Sequence, residues 1–133
     1  MSVYFDSSAL VKRYVREPES ELAKSFLESF TDPITSAVTI IEVRRVIGRY
    51  VSAIEGITAG ALFKRDLSSM AIVDLTAEIV ENAAEIASKT HLRTLDSIHL
   101  ASAMAASCVQ IVTFDRMQAR VAQSLGISPV ILE

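Results

Sequence analysis

Short apolar segments with β-strand character alternate along this chain with longer segments of helical character, and this alternation constrains the fold more than any other feature. Val3-Tyr4-Phe5 and Ile111-Val112-Thr113-Phe114 are typical of strands, because β-branched and aromatic residues pack well on a pleated sheet. Strands that alternate with helices predict a mostly parallel sheet with helices on both faces. We therefore expect an α/β fold, and a length of 133 residues predicts a single domain over residues 1–133.

The boundaries of the predicted elements follow from apolar periodicity and from residues that start or stop helices. Pro18 ends the first helix, Gly56 closes the third and Gly126 caps the last, while Thr76 is a predicted helix start. The predicted strands cover residues 3–5, 34–35, 71–75, 109–114 and 127–132. The predicted helices cover residues 8–15, 19–30, 38–55, 58–70, 76–89, 94–107 and 115–125.

The bulk properties of the chain exclude several classes of protein. A single cysteine, Cys108, rules out an internal disulfide and predicts a reducing, cytoplasmic location. The amino-terminal residues lack the features of a signal peptide, and no apolar run is long enough to suggest a membrane span. A net charge of −3 argues against a broad electrostatic DNA binder. It leaves open a nuclease whose metal ions supply positive charge at the scissile phosphate.

Two aspartates, Asp6 and Asp115, directly follow predicted strands. In parallel α/β sheets, ligands bind beyond the carboxyl ends of the strands, so both side chains are candidates for the same edge of the molecule. Each aspartate could instead serve only as the N-cap of the helix that follows it.

Asp96 and Glu42 also stand apart from the acidic residues on polar helix faces. Asp96 lies in the first turn of a predicted helix, where a carboxylate suits the helix dipole. Glu42 lies at the border of the apolar arc of its helix, between Val38 and Val46. A carboxylate at that border is partly desolvated, so it needs a partner, which is either Arg45 three residues later or a metal ion.

Taken as a set, these four acidic residues predict a metal site. Carboxylates within about 4–6 Å of one another repel and raise each other's pKa values. A hard divalent cation with oxygen ligands removes that conflict and can activate water against a phosphoryl group. One alternative is a binding module without catalysis, in which the acidic residues only cap helices. Another is a phosphatase on a similar sheet, but that enzyme needs a second aspartate where this chain has Ser8.

The two histidines are weaker candidates for a functional site. His99 follows Asp96 by three residues, but its neighbours Ile98 and Leu100 favour a hydrogen-bonded histidine of the core. His91 lies in a polar connection and is expected to be exposed. No serine occurs in a nucleophile-elbow motif, so the sequence does not support a Ser–His–Asp triad.

Four segments of the chain resemble, in order and spacing, the motifs of the PIN-domain family, and in particular the VapC-type toxins of bacterial and archaeal toxin–antitoxin pairs. Residues 3–12 look like the first motif, a strand that ends in an aspartate, here Asp6, with hydroxyl residues nearby. Glu42, after Ser36-Ala37-Val38-Thr39, matches the helix glutamate of the family. Residues 95–103 look like the third motif and Thr113-Phe114-Asp115 like the fourth. The resemblance covers nearly the whole chain.

This resemblance implies a three-layer α/β/α sandwich around a parallel sheet of about five strands. It implies an endonuclease that depends on Mg²⁺ or Mn²⁺ and hydrolyses RNA phosphodiester bonds by attack of water. Asp6, Asp96 and Asp115 would be metal ligands, Glu42 would bind metal or position the water, and Thr113 would support the site by hydrogen bonding.

The same resemblance implies partners for the chain, namely RNA, a second copy in a homodimer, and a cognate antitoxin that blocks the cleft within a larger assembly. Similar families include RNA-processing enzymes that are not toxins, so a housekeeping nuclease is the alternative. An arginine or lysine of the antitoxin would pair with the carboxylates. The rest of its peptide would need an apolar groove, which we expect among the first three helices, lined by Leu10, Tyr14, Leu22, Phe26, Leu27 and Tyr50.

Overall fold

Strands and helices alternate throughout the computed structural model, which describes residues 2–15 and 20–131. The strands are β1 (Val3–Phe5), β2 (Pro33–Ser36), β3 (Ala71–Val73), β4 (Gln110–Thr113) and β5 (Ser128–Ile131). The helices are α1 (Ser7–Tyr14), α2 (Ser20–Glu28), α3 (Ala37–Tyr50), α4 (Ala53–Leu67), α5 (Ala77–Lys89), α6 (Thr94–Ala105) and α7 (Arg116–Ser124).

The five strands form one sheet in the order β3-β2-β1-β4-β5, and every pairing between neighbours is parallel. In the register of the central strands, Phe5 of β1 lies opposite Val112 of β4. The chain first moves from β1 to one side of the sheet and then returns to pair β4 with the other side of β1. The sequence-based prediction of a parallel sheet of about five strands is confirmed.

Helices cover both faces of this sheet, as successive side chains of one strand demonstrate. Val3 and Phe5 of β1 are buried in a cluster with residues of α1, α2, α3 and α4. Tyr4, between them, is buried in a second cluster with residues of α5, α6 and α7. Because side chains of a strand alternate between its faces, the two clusters lie on opposite sides of the sheet. The predicted three-layer α/β/α sandwich is therefore confirmed.

The boundary between α3 and α4 differs from the prediction. The helix predicted to run to residue 55 and to stop at Gly56 instead ends at Tyr50, and Val51 is extended. Ser52 then begins α4, since its hydroxyl accepts a hydrogen bond from the backbone N–H of Glu55 at 3.2 Å. Gly56 lies inside the new helix, so its predicted role as a stop was wrong. The apolar periodicity continues across the break, and this concealed the break in the sequence.

The other predicted ends agree with the structure to within a few residues. The hydroxyl of Thr76 caps α5 through the backbone N–H of Ile79, and Gly126 follows α7 with φ of +84°. The predictions at Pro18, at the start of the second helix and at the end of the last strand fall on residues 18, 19 and 132, outside the described part of the chain. Among the described residues, no helix combines the length and apolar character that a membrane span requires.

Candidate active site at the carboxyl ends of β1 and β4

Asp6 and Asp115 lie where the two central strands of the sheet end. Asp6 directly follows β1 and its backbone N–H donates to the carbonyl of Val112 in β4 at 3.2 Å. Asp115 follows β4 after one intervening residue. The chain turns to opposite sides of the sheet after these two strands, and such a switch point creates a crevice beyond the strand ends. The predicted shared edge for the two aspartates is confirmed.

Asp6 is nearly inaccessible, with 3% of its surface exposed. Its Oδ1 accepts hydrogen bonds from the Ser8 hydroxyl at 2.7 Å and from the backbone N–H of Ala9 at 3.1 Å. Its Oδ2 accepts from the Thr113 hydroxyl at 2.6 Å. Burial raises the pKa of Asp6, whereas these hydrogen bonds favour its ionised form. Among the described residues, Oδ2 has one donor, so one of its lone pairs remains for a further ligand.

Thr113, at the end of β4, joins three parts of the site. Its hydroxyl accepts from the backbone N–H of Asp115 at 2.9 Å and lies 3.0 Å from the amide oxygen of Gln118. A hydroxyl has one proton, and the shorter contact with a carboxylate assigns that proton to Asp6. The amide nitrogen of Gln118, a residue with no exposed surface, donates to the backbone carbonyl of Asp96 at 3.2 Å. Thr113 and Gln118 therefore connect Asp6, Asp115 and the first turn of α6.

Asp96 and Asp115 face the same arginine. The Arg93 guanidinium lies 3.3 Å from Oδ2 of Asp96 and 3.9 Å from Oδ2 of Asp115. Burial and the nearby charge of Asp115 raise the pKa of Asp96, against the opposing charge of Arg93. The side chain of Arg93 is 83% exposed, so it lies on the solvent side of the two carboxylates.

Glu42 of α3 joins the site through a histidine. Its Oε1 lies 2.6 Å from Nε2 of His99 on α6, and its Oε2 accepts from the Ser7 hydroxyl at 3.0 Å. The other ring nitrogen of His99, Nδ1, lies 2.6 Å from the hydroxyl of Tyr4. The predicted ion pair between Glu42 and Arg45 is not formed between these two described residues, so that alternative was wrong. A buried, hydrogen-bonded His99 was predicted and is confirmed, and His91 is exposed as expected.

Several residues that hold this site together were not among those predicted from the sequence. Most of them are close in sequence to a predicted acidic residue, and their spacing could have identified them: Ser7 and Ser8 after Asp6, Arg93 before Asp96, and Gln118 after Asp115. The contact between Tyr4 and His99 spans 95 residues, so no local pattern could indicate it. It depends on the strand order, which places β1 beneath α6.

Asp6, Asp96 and Asp115 are thus linked through Thr113, Gln118 and Arg93, whereas Glu42 belongs to a separate set of hydrogen bonds with His99 and Ser7. The four acidic residues do not form a complete metal site by themselves. Within residues 2–15 and 20–131, no three Asp, Glu, His or Cys side chains are grouped closely enough to hold an ion by themselves. Metal binding by Asp6, Glu42, Asp96 and Asp115 therefore stays a prediction.

An apolar hollow of about 380 Å³ adjoins Glu42. It is lined by Val38, Ile41, Glu42, Arg45, Val46 and Leu95, and Ile41 is 70% exposed. In the groove predicted among the first three helices, Leu10, Tyr14 and Leu27 are core residues that expose at most 8% of their surface, although Tyr14 and Leu27 each line a hollow beside α1 and α2. The side chains of its other three predicted members, at positions 22, 26 and 50, lie outside the described part of the structure.

Comparison with known proteins gives concordant results. A family model described as PIN domain matches residues 3–124. The chain is 30% identical to Ribonuclease VapC46 of Mycobacterium tuberculosis over 97% of this chain and 96% of that protein. It is 36% identical to Ribonuclease VapC35 of the same species, over 96% of this chain and 95% of that protein.

Solved structures share the fold at low sequence identity. The crystal structure of M. tuberculosis VapC20, described as a Sarcin-Ricin loop cleaving toxin, aligns with a TM-score of 0.78 at 17% identity, covering 97% of this chain and 98% of that one. VapBC2 from Rickettsia felis, bound to a DNA fragment from their promoter, aligns with a TM-score of 0.77 at 15% identity, covering 100% of both chains.

Proposed function

The chain belongs to the PIN domain family, and on that premise we propose that it is an endoribonuclease that acts as the toxin of a toxin–antitoxin pair. The observation that carries the proposal is the group of acidic residues at the switch point between β1 and β4, three of which, Asp6, Asp96 and Asp115, are joined through Thr113 and Gln118. Relatives named as ribonucleases, with at least 30% identity over almost their full length, support RNA as the substrate.

We propose that Asp6, Asp96 and Asp115 hold Mg²⁺ or Mn²⁺, with Glu42 binding the ion or positioning water. The donor set fits, since all four groups offer the hard oxygen ligands that these ions prefer. Mg²⁺ usually binds through one or two carboxylates and keeps several waters, so a cage of three protein ligands is not required. When bound, the ion supplies an activated water and positive charge against the phosphate.

Neighbouring residues of the chain keep these carboxylates charged and in position to bind a metal ion. The hydrogen bonds to Asp6 stabilise its charge despite burial. Arg93 offsets the mutual repulsion of Asp96 and Asp115 and, being exposed, can turn outward without unpacking the core. Thr113 and Gln118 fix the distance between the ends of β1 and β4 and the first turn of α6.

Cleavage of a fluorescent RNA by the purified chain, with Mg²⁺ or Mn²⁺ and then with EDTA, tests this proposal. We expect cleavage that EDTA abolishes and that Asp96→Asn lowers by a hundredfold or more, as an order of magnitude for losing a charged catalytic group. Asp74→Asn is the matched control, because Asp74 also follows a strand but lies exposed at the edge of the sheet and should leave the rate unchanged. Failure of the wild-type chain to cut any RNA would refute the ribonuclease, and cleavage that survives EDTA would refute the metal.

We propose further that the chain works as a homodimer in the cytoplasm, as one domain that spans residues 1–133, and that a cognate antitoxin silences it. The apolar hollow beside Glu42 supports an antitoxin peptide there, since a side chain entering the hollow would bring its neighbours to the carboxylates. Light scattering should give twice the 14.5 kDa mass of one chain, and a mass of one chain at micromolar concentration would contradict the dimer.

A further inference from the structure

A chain of two hydrogen bonds, the first buried and the second partly buried, runs from the central strand to the candidate active site. It starts at the Tyr4 hydroxyl, passes through both ring nitrogens of His99 and ends at Oε1 of Glu42, with 2.6 Å at each step. Tyr4 has no exposed surface and His99 has 1%. The two rings also meet edge to face at 5.8 Å between centroids. Such a path is not needed for packing, because an apolar pair would fill the same volume without polar groups to satisfy.

The groups at the two ends of this chain, Glu42 and Tyr4, determine which atom donates in each hydrogen bond. An ionised carboxylate only accepts hydrogen bonds, so Nε2 of His99 must carry the proton in its short contact with Glu42. At the other end, the Tyr4 phenol has one O–H, which it can donate along its 2.6 Å contact with Nδ1 of His99. In the neutral ring Nδ1 is then the acceptor of that proton.

We propose that His99 and Tyr4 are positioning residues, which hold the Glu42 carboxylate in its working orientation by locking His99 in the tautomer with the proton on Nε2. This inference rests on the proposed ribonuclease function and assigns to it two residues beyond the acidic set. Ser7 fixes Oε2 of Glu42 in the same way that His99 fixes Oε1. With each oxygen held by one donor, the carboxylate cannot rotate, and its remaining lone pairs have one orientation. Side chains held in one geometry before reaction lower the entropic cost of catalysis.

Two substitutions of His99 separate positioning of Glu42 from a contribution to packing. Gln carries an N–H at the place of Nε2, so His99→Gln keeps the donor to Glu42. Asn carries its N–H at the place of Nδ1, so His99→Asn can still meet Tyr4 but loses Glu42. We expect the kcat of His99→Gln to stay within about tenfold of wild type, as for one altered hydrogen bond. The kcat of His99→Asn should fall as far as the kcat of Glu42→Gln. KM should be unchanged in both His99 variants. Equal losses in the two variants would overturn the proposal.

Tyr4→Phe tests the hydrogen bond between Tyr4 and His99 without disturbing the core, because it removes only the hydroxyl. We expect a three- to tenfold lower kcat, the order of one hydrogen bond, and no further loss when the change is added to Glu42→Gln. Tyr14→Phe is the matched control, since Tyr14 is also a buried residue whose hydroxyl donates to a carboxylate, that of Asp66, but lies outside this chain of bonds. Additive losses in the double variant, or an equal loss in Tyr14→Phe, would mean a general effect on stability and would overturn the proposal.

The tautomer can be measured without any RNA, which separates this inference from the ribonuclease assignment. The chain has two histidines, so ¹⁵N spectra of the full-length protein contain the exposed His91 as an internal reference. We expect a protonated Nε2 and an unprotonated Nδ1 for His99, the same tautomer in Tyr4→Phe, where Glu42 still requires it, and a mixture of tautomers when Tyr4→Phe is combined with Glu42→Gln. A proton on Nδ1 with Nε2 free would place the proton of the short contact on Glu42 and would overturn the proposal even if the chain cleaves RNA. The expected tautomer in a chain without cleavage would instead count against the proposed function alone.

Discussion

Single aspartates serve two purposes in this molecule, because the two oxygens of one carboxylate bind different groups. In Asp115, Oδ1 accepts from the backbone N–H groups of Met117 and Gln118 and so caps α7, while Oδ2 faces Arg93. In Asp6, Oδ1 caps α1 and Oδ2 faces Thr113. Helix capping and ligand binding are therefore compatible roles, although they were alternatives in the sequence analysis.

This division of roles predicts that two substitutions of Asp115 behave differently. Asp115→Asn keeps an oxygen that can cap α7, so its melting temperature should match that of wild type. Its cleavage rate should fall by a hundredfold or more, on the order of the loss for a charged catalytic group. Asp115→Ala also loses the cap and should cost about 1 kcal/mol of stability. Thermal melts and cleavage assays of both variants decide this. If Asp115→Asn cleaves RNA at the wild-type rate, Asp115 is a cap alone.

Cys108 provides a prediction about pH. Burial raises the pKa of its thiol to about 11. The folded chain therefore holds this proton more tightly than the unfolded chain, whose thiol ionises near pH 8.5. Stability should fall as the pH rises through the window between these two values, and Cys108→Ala should remove that fall. Iodoacetamide at pH 8.5 should label the denatured chain much faster than the native one, and equal rates would contradict the burial.

The break between α3 and α4 can be tested at Gly56. Because Gly56 lies in the first turns of α4 and an added Cβ would lie 3.9 Å from Ile47, Gly56→Ala should stabilise the protein by about 0.5–1 kcal/mol. Gly126→Ala is the control and should destabilise it, since φ of +84° is strained for alanine. Denaturant titrations measure both changes. Destabilisation at Gly56 of the same size as at Gly126 would restore the helix stop that the sequence suggested.

A single arginine of α1 forms hydrogen bonds to two other helices on the same face of the sheet. Arg13 of α1 donates from Nε and Nη2 to Asp66 of α4, at 2.7 and 3.3 Å, and from Nη1 to Glu28 of α2 at 3.1 Å. The Tyr14 hydroxyl also donates to Asp66 at 2.7 Å. The side chains of Arg13 and Asp66 are 6% and 12% exposed, so removing Asp66 leaves a buried guanidinium whose charge is offset by the more exposed Glu28.

Asp66→Ala should therefore cost about 3–5 kcal/mol of stability, the usual range for breaking a buried ion pair. Arg13→Met combined with Asp66→Leu should recover most of that loss, because an apolar pair leaves no charge buried. Urea titrations of the single and double variants give the free energies of unfolding. A loss below 1 kcal/mol in Asp66→Ala would mean that water solvates the freed guanidinium and that the three helices do not depend on this contact.

For the molecule as a whole, local patterns predicted the layers, the parallel sheet and the shared edge of Asp6 and Asp115. They succeeded because strand character and helix caps are encoded within a few residues. They failed for one of the two partners considered for Glu42, because Arg45, three residues away, does not pair with it and His99, 57 residues along the chain, does. The side chains of Leu10, Tyr14 and Leu27, expected to line a groove, are instead mostly buried in the core, since an apolar residue on a helix can face either a partner or the core. Such contacts depend on strand order and helix packing, which no single segment specifies.

Expression in a cell distinguishes a toxin from a housekeeping nuclease for this chain. If it is a toxin, its expression alone should arrest growth, and co-expression of the small protein encoded beside it should restore growth. Asp96→Asn should express without arrest, because it removes the charge needed for cleavage and leaves the apolar hollow beside Glu42 unchanged. The inactive variant can therefore serve as bait, and it should retain the partner in a pull-down as a stable complex.

The partner should enter the site with an arginine, since a planar guanidinium pairs with carboxylates in two hydrogen bonds. Charge reversal of that arginine should restore growth arrest while weakening the complex only in part. A wild-type chain that cleaves RNA, leaves growth unaffected and retains no such partner would be a housekeeping nuclease instead.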